Sequence, residues 1–107
     1  MTDVRIVLTT IDNADAAARL ARTLVELRLA ACVNLVDTAS VYRWQGKVES
    51  AEEILLVIKT STERISELKD RLPQLHPYDV PELIVLPVTD GAASYLAWVL
   101  AACGARE

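Results

Sequence analysis

The sequence predicts an α+β fold of the ferredoxin-like type: a βαββαβ sandwich with an extra C-terminal helix and a long hairpin between its second and third strands. Three observations predict it. Short β-branched, apolar runs alternate with segments whose apolar residues recur every three or four positions. Those segments follow the order β-α-β-β-α-β-α. Two extended stretches flank Gln45-Gly46 with no helical segment between them, which marks a hairpin turn.

Each element has its own local reason. Arg5-Ile6-Val7-Leu8-Thr9-Thr10 is β-branched and apolar and reads as a buried strand, closed by Asp12-Asn13. Asp12 or Asn13 can cap a helix, because a short side-chain oxygen satisfies the free amides of a first turn. Apolar residues then fall at Ala17, Leu20, Leu24, Leu27 and Ala31, one face of a helix, with Arg19, Arg22 and Glu26 on another. Cys32 to Val36 reads as a second strand and Ser40 to Trp44 continues it, with Asp37-Thr38-Ala39 a candidate bulge or bend. Lys47-Val48-Glu49 begins the return strand, which finishes between Ile54 and Thr60 with the apolar run Ile54-Leu55-Leu56-Val57-Ile58. A run apolar on both faces needs cover on both. Helices cover one face; a second subunit or sheet must cover the other.

Thr60-x-x-Glu63 fits a capping box, with Thr62 a second candidate cap. Ile65, Leu68, Leu72 and Leu75 make the next amphipathic helix, which Pro73 should end or kink because it lacks an amide proton. His76-Pro77-Tyr78-Asp79-Val80-Pro81-Glu82 is a stiff loop, since each Pro holds its own φ and pushes its predecessor to extended geometry. Leu83 to Leu86 is a fourth strand, closed by Pro87. Asp90-Gly91 opens a last helix with Tyr95, Leu96, Val99, Leu100 and Cys103 on one side.

With 107 residues the chain suits one domain, residues 1–107. Eleven Lys+Arg against fifteen Asp+Glu leave a net charge of −4. That balance argues against a duplex-DNA or anionic-membrane surface, which needs clustered positive charge. No apolar run approaches a membrane span, and the N-terminus lacks a basic stretch followed by a long apolar one, so a cytoplasmic protein is expected. Cys32 and Cys103 form no C-x-x-C pair and read as reduced, mostly buried thiols. Apolar residues make up 52% of the chain, more than one small core needs, so an oligomer is expected, with the hairpin tip from Tyr42 to Lys47 touching a neighbour.

Few residues carry chemistry. Three glycines, none in a phosphate-binding arrangement, exclude a P-loop or dinucleotide fingerprint. The single histidine, His76, limits acid–base and metal options. It could bind a soft or borderline cation with help from Asp79 and Glu82, or simply hydrogen-bond its loop. Lys47, Glu49, Glu53 and Lys59 share one face of their strand if no bulge intervenes, either as solvated ion pairs or as a polar pocket between subunits. Tyr42, Trp44, Tyr95 and Trp98 suit protein–protein anchors better than nucleobase stacking, because no basic stripe accompanies them.

Leu29-Ala30-Ala31-Cys32-Val33-Asn34, Ser40-Val41-Tyr42-Arg43-Trp44-Gln45-Gly46-Lys47, Glu53, Lys59-Thr60, His76-Pro77-Tyr78-Asp79-Val80-Pro81-Glu82 and Tyr95-Leu96-Ala97-Trp98 follow one another as in the divalent-cation tolerance protein CutA family. The resemblance runs nearly end to end. It implies a tight cytoplasmic homotrimer, not an enzyme, with a role in tolerance of divalent metals, notably Cu²⁺. Within such a trimer the candidates for a pocket between subunits are Cys32, Tyr42, Trp44, Lys47, Glu53, Lys59, Tyr78 and Glu82, and His76 is the metal-ligand candidate. Some relatives are described as holding copper through a first-strand Cys and adjacent His residues; those positions here carry Thr9 or Thr10 and Leu75, and His76 alone matches. A second reading is a sensor trimer like the PII proteins, with Lys47 and Lys59 binding a small anion in a cleft between subunits. A third, an acylphosphatase-like hydrolase, lacks support, because Thr10-Ile11-Asp12-Asn13 has neither the Gly nor the Arg to hold a phosphate.

Overall fold

The computed structural model describes residues 1–104. Four strands, β1 (Val4–Ile11), β2 (Cys32–Trp44), β3 (Lys47–Ser61) and β4 (Ile84–Pro87), form one antiparallel sheet in the order β2-β3-β1-β4. Among the described residues three α-helices accompany them: α1 (Ala14–Glu26) and α2 (Ile65–Leu75) between strands, and α3 (Ala93–Ala102) after the last. This is the predicted ferredoxin-like architecture. The alternation of the strands sorts the core. Val7, Thr9 and Ile11 of β1 lie beside Ile58, Leu56 and Ile54 of β3, and this face is closed by Leu20 and Leu24 of α1 and Leu68 and Leu72 of α2. The opposite face carries Ile6, Leu8, Leu55 and Val57, half-buried, and Val36, Ile84 and Leu86, exposed.

Several local expectations are corrected. The first helix stops at Glu26, so Leu27 and Ala31 are not on it. Arg28 takes a left-handed conformation, φ 61°, and the amides of Leu29 and Ala30 return to the Leu24 carbonyl. That closure satisfies carbonyls the helix end would otherwise leave free. Asn13 is the N-cap, its Oδ1 accepting from the Ala16 amide at 2.9 Å. No bulge interrupts β2: residues 32–44 pair one to one with β3 from Cys32 opposite Lys59 to Trp44 opposite Lys47. Gln45 and Gly46 turn the hairpin with φ of 50° and 80°, the positive pair whose twist matches the flanking strands.

Thr60 does not cap a helix. It stays in β3, where its hydroxyl donates to the Leu29 carbonyl at 2.7 Å, and a short 3₁₀ turn (Thr62–Arg64) leads into α2 without a side-chain cap. Tertiary pairing of β3 with β1 carries the strand past the point where the local motif predicts a helix start. Pro73 sits in the last turn of α2, and the helix ends two residues beyond it. The buried side of α3 is Val99 and Cys103 with Leu96; Tyr95 and Leu100 face outward. The C-terminal end of α3 is held by charge-assisted bonds, with Arg64 Nε donating to the Cys103 carbonyl at 2.7 Å and Arg28 reaching the Ala102 carbonyl at 3.5 Å.

One buried group is unpartnered. Thr9 is fully buried on the helix-covered face, and among the described residues its hydroxyl has no hydrogen-bond partner. Thr9→Val replaces that hydroxyl with a methyl of similar shape and removes an uncompensated desolvation cost. We expect stability to rise by about 1 kcal/mol, read as a higher urea midpoint with an unchanged slope.

Candidate functional site

β1 pairs with β3 only as far as Ile54. Beyond that point residues 38–44 of β2 and 47–53 of β3 leave the sheet as a two-stranded ribbon. The ribbon, the end of β1 and the loop after α2 enclose a cleft of about 690 Å³. Its walls include Tyr42, Trp44, Glu53, Tyr78 and Glu82, five of the residues predicted from sequence. Thr10, Asp12, Ser40, Val41, Ala51, Asp79 and Val80 complete it. Four of these residues are carboxylates, Asp12, Glu53, Asp79 and Glu82, and none is Lys or Arg. A neighbouring hollow of about 520 Å³ shares Asp12 and Glu53 and adds Asp37 and Glu52. The local field is therefore negative, and it favours cations over anions.

Glu53 and Tyr78 form the polar centre. The Tyr78 hydroxyl donates to Glu53 Oε2 at 2.7 Å. Burial pushes the Glu53 carboxyl up, but hydrogen bonds from Ser40, Tyr78 and Thr10 favour the charged form and bring it below the usual carboxylate value. Burial, then Glu53, raises the Tyr78 phenol above its ordinary range, so it stays a donor. Glu53 is thus an ionised group held by hydroxyls, and proton transfer is not its natural role near neutral pH.

His76 lies behind the Tyr78 ring, their centroids 4.8 Å apart and their planes at 68°. It is only 6% exposed. Its Nε2 donates to the Thr10 carbonyl at 3.0 Å, and its Nδ1 accepts from the Tyr78 amide at 3.1 Å. A carbonyl can only accept and an amide can only donate, so the ring is neutral with its proton on Nε2. No lone pair remains for a cation unless one of these bonds is broken.

The remaining candidates lie elsewhere. Lys47 stands at the hairpin turn opposite Trp44, exposed and outside the cleft. Cys32 and Lys59 face one another at the other end of the β2–β3 pair, where Lys59 Nζ hydrogen-bonds the Asn34 side chain. Lys47 and Lys59 are twelve residues apart on one extended strand, roughly 40 Å. One protomer therefore cannot close both on a small anion. Among the described residues, no three of His, Cys, Asp or Glu gather closely enough to hold a metal ion. Sequence reasoning missed Ser40 and Thr10, the hydroxyl partners of Glu53. The signal for Ser40 was its place two residues beyond Thr38, the cross-strand partner of Glu53, on the same face of the ribbon.

The family of the CutA1 divalent ion tolerance protein matches residues 5–102. The divalent-cation tolerance protein CutA of Thermus thermophilus is 47% identical over 95 residues, covering 88% of this chain and 92% of that protein. A crystal structure of CutA from Xylella fastidiosa superposes with a TM-score of 0.93 at 39% identity, over 96% of this chain and 100% of the other. CutA of Archaeoglobus fulgidus, described as a periplasmic divalent cation tolerance protein, gives a TM-score of 0.91 at 31% identity, over 94% of this chain and 99% of that one. Among the described residues no helix is long and apolar enough to cross a membrane. Sequence likeness along nearly the whole chain and the shared fold agree: this protein belongs to the CutA divalent-ion tolerance family.

Proposed function

We propose that this chain, as one domain over residues 1–107, acts as a cytoplasmic, non-catalytic homotrimer in the response to divalent metal ions, with Cu²⁺ the first to test. The observation that carries the cation reading is the cleft: four carboxylates, no basic side chain, and a central glutamate kept ionised by hydroxyl donors. Such a field concentrates divalent cations weakly, without a coordination cage. Both nitrogens of His76 hold protein groups, which makes the imidazole a support of the cleft wall.

Assembly is supported by what a lone copy leaves wet. Val41 is 74% exposed and Val48 66%, with Trp44 at 51%, all on a ribbon that has no third strand. A two-stranded hairpin alone is marginally stable in water. Sister copies covering the ribbon and the open sheet face would dry both and place the cleft at a seam.

Calorimetric titration of Cu²⁺ into the intact protein tests the cation reading. We expect weak, salt-sensitive binding that falls several-fold in the double variant Asp79→Asn, Glu82→Gln. Heat that is identical in the variant, or no heat in the parent protein, removes it.

A further inference from the structure

We propose that His76 is an acid-sensitive latch: taking up one proton at Nδ1 releases the loop of residues 77–83 from the body of the fold and opens that wall of the cleft. The proposal does not depend on any cation.

The loop has few other ties. Among the described residues, no main-chain hydrogen bond joins residues 77–83 to another part of the backbone. Its polar attachments centre on two side chains. His76 anchors to β1 through the Thr10 carbonyl and holds the loop through the Tyr78 amide. Tyr78 reaches across to Glu53 on β3 and lies close to the Asp12 backbone. Pro77 and Pro81 hold their own φ, which narrows the ways a shift at Tyr78 can be taken up along the segment.

The direction of the switch follows from the ring. Nε2 already carries its proton, so the next proton must enter at Nδ1. The Tyr78 N–H points at that atom from 3.1 Å. Protonation sets two donors face to face and turns the hydrogen bond into a repulsion. The charged groups that face the ring are Glu53 from β3 and Asp12 from the turn after β1, and both attract an imidazolium. The Thr10 carbonyl also favours it. Burial opposes these and outweighs them, holding the His76 pKa below the ordinary histidine value. The folded state therefore prefers the neutral ring. Its contribution to stability is complete above the unfolded histidine pKa and is lost as pH falls toward the lower folded value.

Amide hydrogen exchange on the full chain tests this, comparing about pH 7.5 with about pH 4.5 after correction for the intrinsic exchange rate. The Tyr78 amide, whose bond to Nδ1 the added proton breaks, should lose protection about tenfold at acid pH relative to β1 amides in the same sample. His76→Asn removes the titration while its Oδ1 can still accept from the Tyr78 amide, and its loop should show no acid step. Unchanged relative protection in the parent protein, or the same acid step in His76→Asn, overturns the latch. Imidazole ¹⁵N spectra of the parent protein give an independent check if the variant does not fold. A neutral ring protonated on Nε2 at neutral pH is required, and the Nδ1 tautomer refutes the proposal.

Discussion

Ile58→Ala should lower the unfolding free energy by about 3–4 kcal/mol, a large part of the stability of a domain this size. Ile58 is fully buried in the part of β3 that pairs with strands on both sides. It is flanked by Val7 on β1 and Val33 on β2, on the face that α1 and α2 cover. Truncation removes three carbons of buried surface and leaves a cavity that a strand hydrogen-bonded on both edges cannot collapse to fill. Urea denaturation followed by circular dichroism reads the effect as a lower midpoint at unchanged slope. A loss below about 1 kcal/mol would mean that the core is looser than its burial implies.

Val57→Asp, one residue away, should act on assembly instead. Val57 points to the other face, between Leu8 and Asn34, where the protomer leaves it half-buried. In a single copy the new carboxylate can reach water. In the proposed trimer it would be enclosed without a partner, at a cost of several kcal/mol per copy. Sedimentation at micromolar concentration should give about three times 11.7 kDa for the parent protein and close to one protomer's mass for the variant. Circular dichroism of the dissociated variant should keep the native strand and helix signal. A parent protein that sediments as a monomer, or a variant that stays trimeric, refutes the assembly proposed for this face.

The contrast between these two neighbours shows how far a sequence can be read. Ile54 to Ile58 is apolar throughout, which says that both faces of β3 seek cover but not which residue meets a helix. Register decides that: Val7 opposite Ile58 and Leu8 opposite Val57 assign the faces. The cleft was legible in the same partial way. Residue type and position single out Tyr42, Trp44, Glu53, Tyr78 and Glu82, but only the fold shows that they converge. The absence of Lys47 and Lys59 from it, and the exclusively acidic charge of its walls, follow from where β1 stops pairing with β3.

His76 marks the same boundary. From sequence it could be a ligand or a support of its loop. Two hydrogen bonds, one to a carbonyl sixty-six residues away, decide its protonation state and its work in the folded protomer. Thr60 is similar, since a local motif made it a helix cap and long-range pairing made it a strand residue bonded to Leu29.

Element order, the hairpin at Gln45-Gly46, the amphipathic helices and the surplus of apolar residues were determined by sequence alone, because each depends on periodicity or on the preferences of a few adjacent residues. Where α1 and β3 end, the straight pairing of β2, the tautomer of His76 and the sign of the field in the cleft were decided only by tertiary structure. Those features depend on groups brought together across long stretches of chain, and no local pattern encodes their distances.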